Sequence, residues 1–328
     1  MFMKQLRFIC AQPAIPYYTW QIEVMINNFL EMGIHPNYID IVCWKENGVT
    51  PDAWRKLANH YNTVRFFFYN DTRVTKNYTS SIRPNILKQH WLARPEIHDD
   101  VIFYHDNDIV FTKPINWQQF MEGDNWYGSD TRWYIGHDYI VSKDEDVLDK
   151  MCEIVNIDKE LVKANELNSI GAQYILKGVD WKFWDNVERD CERLFTEITE
   201  LNTEKVIEHR HTMPPDAPVT PAYNPLQIWC ADMWALLWNA WKLGKKTICH
   251  DDLQFSWATS SKNDWNKYNV FHNAGVVTDA DGLFYKAIYT NKLPYGEKLS
   301  IKPDTASLEY WNLIQRVGEK SCLLNLNQ

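Results

Sequence analysis

The stretch Val101-Ile102-Phe103-Tyr104-His105-Asp106-Asn107-Asp108 decides how this chain is read. Four consecutive apolar residues without polar alternation predict a strand buried on both faces, as central strands of parallel sheets are. Two carboxylates spaced one residue apart follow at once. Open α/β sheets bind their ligands beyond the carboxyl ends of the strands. Alternate residues of an extended chain also point the same way, so Asp106 and Asp108 can converge on one cation. That outlines a metal and phosphate site. A solvated turn that merely ends the strand is the plainer alternative.

Working back from this point, the first hundred residues alternate strand and helix. Residues 6–11 predict a strand, followed by the turn Gln12-Pro13-Ala14-Ile15-Pro16. A helix then carries Ile22, Met25, Ile26, Phe29 and Leu30 on one face and stops at Gly33. Residues 38–44 and 64–69 predict two more strands, with helices over 51–61 and 84–92. Repeated βα units imply an α/β protein whose mostly parallel central sheet is flanked by helices, with right-handed crossovers.

Working forward, the pattern loosens beyond Pro114. Strands are expected over 126–130, 133–141 and 170–176, and helices over 144–156, 158–167 and 185–211. Residues 213–225 hold five prolines and predict an ordered loop or lid. An apolar helix over 231–243 ends at Gly244, and short strands are expected at 246–249 and 268–272. With no internal repeat, the chain reads as two halves, 1–125 and 126–328, packed as one unit.

Composition narrows the function classes. The 328 residues are 45% hydrophobic and 23% charged, as in an ordinary globular protein. A net charge of -9 argues against a broad nucleic-acid or membrane-binding surface. No apolar run approaches the roughly 20 residues that cross a bilayer, and Phe8-Ile9-Cys10 is too short for a signal peptide. The seven cysteines are scattered without a C-x-x-C pair, which suits reduced thiols and a cytoplasmic location. Asn70-Asp71-Thr72 and Asn77-Tyr78-Thr79 match the glycosylation sequon, which carries no weight without a secretory signal. The aromatic share of 14%, with 16 tryptophans and 17 tyrosines, suits stacking on sugars or bases, although most of these rings are expected in the core.

A second element is Val270-Phe271-His272-Asn273-Ala274-Gly275. A histidine ending a late apolar strand can supply a third metal ligand, although a lone histidine is more often structural.

With the D-x-D and this turn together, the chain resembles the GT-A glycosyltransferases, nucleotide-sugar-dependent enzymes with a Rossmann-like half. The resemblance runs from about Leu6 to Gly275 in element order and rests on short motifs. In glycogenin-like members a late His-x-Gly turn completes the metal site and a nearby lysine touches the pyrophosphate. Here the turn from His272 to Gly275 is one residue longer and lacks the Lys-Pro-Trp that follows it there; Lys286 is the replacement. The resemblance implies Mn²⁺ or Mg²⁺ held by Asp106, Asp108 and His272. It implies a nucleoside diphosphate sugar, such as a UDP-sugar, as donor and a hydroxyl group as acceptor. Gln12 and Tyr17, with Tyr18, would contact the nucleoside, and Arg83 or Lys88, with Asp106 and Lys286, would face the rest of the donor. Gln173, in the segment Asn168-Ser169-Ile170-Gly171-Ala172-Gln173, would bind sugar hydroxyls on an integrated acceptor side. Asp232 would be the acidic residue beside the reacting sugar, a candidate general base; pairing with its own helix dipole is an equal alternative. Asp251, next to Asp252, would be sugar-binding or structural.

Two rivals use the same residues. A haloacid-dehalogenase-like phosphatase would take Asp106 as nucleophile, Asp108 as acid/base and Asp251-Asp252 as the late Mg²⁺ pair. Against it, about three βα units precede a motif that belongs on the first strand of that fold. The other rival is a non-enzymatic carbohydrate-binding protein. A modified-DNA acceptor is not favoured by the acidic balance, and the oligomeric state stays open.

Overall fold

The computed structural model describes residues 4–214 and 224–324. Strands β1 (Leu6–Pro13), β2 (Ile39–Trp44), β3 (Arg65–Tyr69) and β4 (Val101–Tyr104) pair in parallel in the order β3-β2-β1-β4. They are connected by helices α1 (Pro16–Glu31), α2 (Asp52–His60) and α3 (Ile82–Ala93). The unbroken apolar runs are explained by two separate cores, one on each face of the sheet. Phe8, Cys10, Val101 and Phe103 face one core, together with Trp20, Met25 and Phe29 of α1. Ile9, Ala11, Ile102 and Tyr104 face the other, together with Ile86 and Trp91 of α3. Period-two alternation thus persists, but both sides are apolar.

After β4 the chain leaves this sheet. The short strand β5 (Ile109–Phe111) belongs to a second, three-stranded sheet, and β6 (Trp126–Asp130) returns to the first. Four helices follow, α4 (Arg132–Ile135), α5 (His137–Val141), α6 (Glu145–Val155) and α7 (Lys159–Ala164). Strand β7 (Ile170–Lys177) then inserts antiparallel between β4 and β6. The long helix α8 (Trp181–Thr212) and the apolar α9 (Ala231–Lys242) pack on the same core as α3. Strand β8 (Thr247–Cys249) closes the seven-stranded sheet beside β6, giving β3-β2-β1-β4-β7-β6-β8. Strand β9 (Phe255–Trp257), helix α10 (Lys262–Lys267), strand β10 (Val270–His272) and helix α11 (Ala306–Gly318) complete the fold. The second sheet has the order β5-β10-β9.

The strand expected over 133–141 is instead the helix pair α4 and α5. Its aromatic and β-branched residues suggest a strand, but the burial is that of turns: Tyr134, Ile135 and Ile140 are buried while Trp133 is exposed. Gly136 N–H donates to Arg132 O at 2.8 Å and Ile140 N–H to Gly136 O at 3.1 Å, so local turns take up the backbone. Most of the expected loop over 213–225 lies outside the described residues. Among the described residues no helix is long and apolar enough to cross a membrane.

Candidate active site

The D-x-D segment is the bend where the chain passes from the large sheet to the small one. His105 N–H still donates to Ile9 O at 3.1 Å, as a residue of β4 would. Its Nδ1 then lies 2.7 Å from Asp106 O, and burial holds this imidazole down at about 4, so the ring stays neutral. The next strand, β5, pairs antiparallel with β10 so that Ile109 faces His272. Asn273 N–H donates to Asp108 O at 3.0 Å. Backbone pairing therefore fixes the late histidine turn against the two aspartates.

The ligand atoms of Asp106, Asp108 and His272 all lie within 4.8 Å of one another. His272 Nε2 is 3.5 Å from Asp106 Oδ2 and 3.3 Å from Asp108 Oδ1. The ring is stacked against Trp257, with centroids 5.8 Å apart, so its direction is set by packing. Two cationic side chains hold the carboxylates: Lys286 pairs with Asp108, and Arg83 bridges Asp106 and Asp232. Burial would raise the Asp108 carboxyl, but Lys286 and His272 outweigh it and keep it well below the usual carboxylate range. Burial would likewise lower Arg83, yet the carboxylates of Asp232 and Asp106 raise it, so it stays charged.

Two cavities meet at this cluster and share Arg83, Asp106 and His272. The first, of about 220 Å³, is polar; Gln12, Tyr17, Tyr18, Asp108 and Lys286 line it at the carboxyl ends of β1 and β4. Gln12 Nε2 donates to Val42 O at 3.2 Å, which leaves its buried Oε1 without a partner. Burial pushes the Tyr17 phenol up to about 12, so it is a hydrogen-bonding group and not an anion. The second cavity, of about 180 Å³, is aromatic, with walls from Tyr104, Tyr134, Tyr174, Trp184, Trp229 and Trp257. Asp232 faces it from the first turn of α9, where Tyr78 Oη donates to its Oδ1 at 2.7 Å.

The expected residues Gln12, Tyr17, Arg83, Asp106, Asp108, Asp232, His272 and Lys286 are therefore brought together. Three others are not. Gln173 is fully buried and lines neither cavity, although its neighbours Ala172 and Tyr174 line the aromatic one. Asp251 is exposed in a turn outside both cavities, while Asp252 accepts from Gln119 Nε2 at 2.7 Å and Asn269 Nδ2 at 3.1 Å. Asp251-Asp252 joins neither carboxylate of the D-x-D cluster, which removes the late acidic pair that the phosphatase reading requires. Lys88 pairs with Asp185 at 3.1 Å and Glu188 at 2.6 Å, tying α3 to α8. Five residues along a helix turn through about 140°, so Arg83 and Lys88 cannot share a face. Sequence reasoning missed Tyr78, Trp184, Trp229 and Trp257, for which the only signal was the abundance of aromatic residues.

Backbone strain also sits at this wall. Ala172 has φ of 62°, beside a register shift between β6 and β7. A Cβ on the preceding Gly171 would lie 2.4 Å from Thr131 Oγ1, so the chain there is held close to β6. Left-handed conformation costs a non-glycine residue roughly 1–2 kcal/mol. Ala172→Gly is expected to raise stability by about 1 kcal/mol in denaturant unfolding. An unchanged or lowered midpoint would show that the conformation is not strained.

No protein-family model matches the chain, and no curated protein sequence matches it. Solved structures do. The bifunctional glycosyltransferase WbbM superposes with a TM-score of 0.50 at 10% sequence identity, covering 98% of this chain and 50% of WbbM. The chain thus spans half the length of that protein. Mouse xyloside xylosyltransferase 1 aligns with a TM-score of 0.37 at 9% identity, over 82% of this chain and 97% of that one. The galactosyltransferase LgtC aligns at 0.36 and 10% identity, over 95% of both chains. These two are too distant in shape to add weight. The WbbM superposition and the mostly parallel seven-stranded sheet with its flanking helices agree: the chain has the GT-A fold found in glycosyltransferases.

Proposed function

We propose that this protein is a metal-dependent glycosyltransferase that moves a sugar from a nucleoside diphosphate, UDP in the first instance, to an acceptor hydroxyl. One observation carries the reading: Asp106, Asp108 and His272 converge within 4.8 Å where a polar cavity meets an aromatic one. Two carboxylates and an imidazole suit a Mn²⁺ or Mg²⁺ ion that keeps open positions for phosphate oxygens. His272 fits that role, since its Nε2 faces both carboxylates. Such an ion, when bound, offsets charge gathering on the departing diphosphate.

The chain's own groups account for the rest. Gln12, Tyr17 and Tyr18 form the nucleoside wall of the polar cavity. Arg83 and Lys286 place two fixed positive charges beside the diphosphate and need no reorganisation to meet it. In the transfer, the bond from the anomeric carbon to the diphosphate oxygen breaks with its electron pair leaving on the phosphate, and the acceptor oxygen bonds to that carbon. The acceptor proton passes to the Asp232 carboxylate, the one on the aromatic side. Residues 1–125 supply the nucleotide wall and 126–328 the acceptor wall, from which His272 and Lys286 reach back to the donor. All seven cysteines are free thiols, which supports a cytoplasmic setting.

The test is a thermal-shift panel of nucleotide sugars with and without Mn²⁺. One nucleotide class should stabilise the protein only with the metal, by about 2.7 kcal/mol at a hundredfold excess over Kd. No shift with any donor overturns the reading.

A further inference from the structure

The aromatic cavity does not end at the catalytic cluster. Of the sixteen tryptophans, three are exposed: Trp133 (61%), Trp229 (56%) and Trp181 (38%). Two of these three gather at one place. Trp229 lines the aromatic cavity and stacks on Tyr134 with centroids 6.3 Å apart. Trp133 lies 4.5 Å from the same Tyr134 and 5.8 Å from Trp257, centroid to centroid.

Trp257 also lines a further open cleft of about 290 Å³, whose other walls include Trp133, Asp130, Gln254, Asp264 and Tyr268. Trp133 and Trp257 therefore form a ridge between the catalytic cavity on one side and this cleft on the other. An exposed indole costs solvation and gains nothing for the core, so a pair at the mouth of a cavity marks a binding surface.

The chemistry of the cleft selects the ligand. Flat aromatic faces match the C–H faces of sugar rings, and carboxylate, amide and phenol groups match their hydroxyls. No lysine or arginine lines the cleft among the described residues, and the nearby Arg132 is already paired with Asp130. Lys267 reaches Tyr268 Oη at 3.3 Å from outside the lining, so the cleft is close to charge balance and offers no run of cations to a nucleic-acid backbone.

We infer that the acceptor is an oligosaccharide chain. Its terminal sugar enters the aromatic cavity beside Asp232, the next crosses the ridge of Trp133 and Trp257, and a further sugar occupies the cleft of Asp130, Gln254, Asp264 and Tyr268. This inference rests on the transferase reading and adds to it the class and minimum length of the acceptor.

The test uses the labelled full chain, with Mn²⁺ and UDP present, on an array of mono- to hexasaccharides with gluco-, galacto-, manno- and rhamno-configured backbones. Retention should rise with length up to three units on at least one backbone. Trp133→Ala, a change at an exposed ring, should lower retention of disaccharides and longer chains about tenfold, as loss of one stacked ring would. Tyr268→Phe should weaken trisaccharides while leaving disaccharides unchanged. UDP binding, measured separately by calorimetry, should be unaltered in both variants. Equal retention of mono- and oligosaccharides overturns the inference, as do wild-type retention by Trp133→Ala and an empty array. If UDP binds in any of these cases, the transferase reading stands while the acceptor assignment falls. If UDP does not bind, the donor reading fails on its own account.

Discussion

Asp108→Asn should abolish the metal-dependent stabilisation by a donor nucleotide and lower transfer by about 10²- to 10⁴-fold, the range expected when several kcal/mol of charge stabilisation is lost. The side chain is 5% exposed, and one oxygen is paired with Lys286 while the other faces His272. The asparagine keeps the shape but brings a neutral ligand and an amide hydrogen to a place that needs charge. The metal-free protein should also lose some stability, because Lys286 loses its counterion. The decisive readout is a difference, the shift in melting temperature produced by Mn²⁺ plus nucleotide, which does not depend on the starting value. Asp251→Asn is the matched control; its carboxylate is exposed and outside both cavities, so transfer should stay within about twofold of wild type. A metal-dependent shift retained by Asp108→Asn would remove the aspartate pair from the cation site.

Arg83→Lys carries the second large effect. Arg83 holds Asp106 with one terminal nitrogen and Asp232 with the other, joining the D-x-D cluster to the carboxylate of the aromatic cavity. Lysine offers one point charge and cannot reproduce the planar fork. One carboxylate is then left in a mostly enclosed site without its partner. With the side chain 24% exposed, the loss of stability should be about 2 kcal/mol, below the range for fully buried pairs. Transfer should fall about 10²- to 10³-fold, because both the diphosphate and Asp232 lose a fixed donor. The split between parameters is informative: a rise in donor KM alone would assign Arg83 to binding, while a fall in kcat at saturating donor would show that it also sets Asp232. Wild-type kinetics in Arg83→Lys would show that the bridge does neither.

What was legible in the sequence follows from what is local. The βα units before Asp106 announce themselves because each strand is an apolar run and the helices carry apolar residues at helical spacing. In α1 Ile22, Met25, Ile26 and Phe29 are buried as expected, whereas Leu30 is exposed and Trp20, Gln21, Glu23, Val24 and Asn28 are buried as well, so this helix is enclosed on more than one side. The D-x-D and the His272 turn were legible for the same reason, each standing directly at the end of an apolar strand. Residues 133–141 misled because Trp133, Tyr134, Ile135, Tyr139 and Ile140 have strand-forming side chains. The two helical turns around Gly136 close through local backbone bonds and are met from elsewhere in the chain, Trp234 Nε1–H donating to Ile135 O at 2.8 Å and Asp138 N–H to Glu166 Oε2 at 3.3 Å. The strands β5 and β9 are no shorter than β8 and β10, which were expected; Ile109-Val110-Phe111 is masked by the D-x-D directly before it, and Phe255-Ser256-Trp257 is broken by a serine. Gln173 was placed on the acceptor side by motif position alone, and the irregular pairing of β6 with β7 leaves it buried there while Ala172 and Tyr174 reach the cavity. The aromatic wall could not be read at all, because nothing in the sequence separates the three exposed tryptophans from the thirteen that are not.

The pairing of β5 with β10 has a consequence for how such a protein can change. The chain leaves the small sheet at Phe111 and returns to it at Phe255, and most of the aromatic wall, from Tyr134 to Trp229, comes from the excursion between. Asp106 and Asp108 precede that excursion and His272 follows it on β10, and the register of β5 with β10 holds the three together. Strands β6, β7 and β8 of the large sheet fix the frame of this segment, but its loops and aromatic residues can change while the register of Ile109 with His272 stays as it is. On the proposed function the architecture would work as a cassette: the aromatic wall could diversify within the excursion, provided Asp232 is kept, while Asp106, Asp108 and His272 are held from outside it.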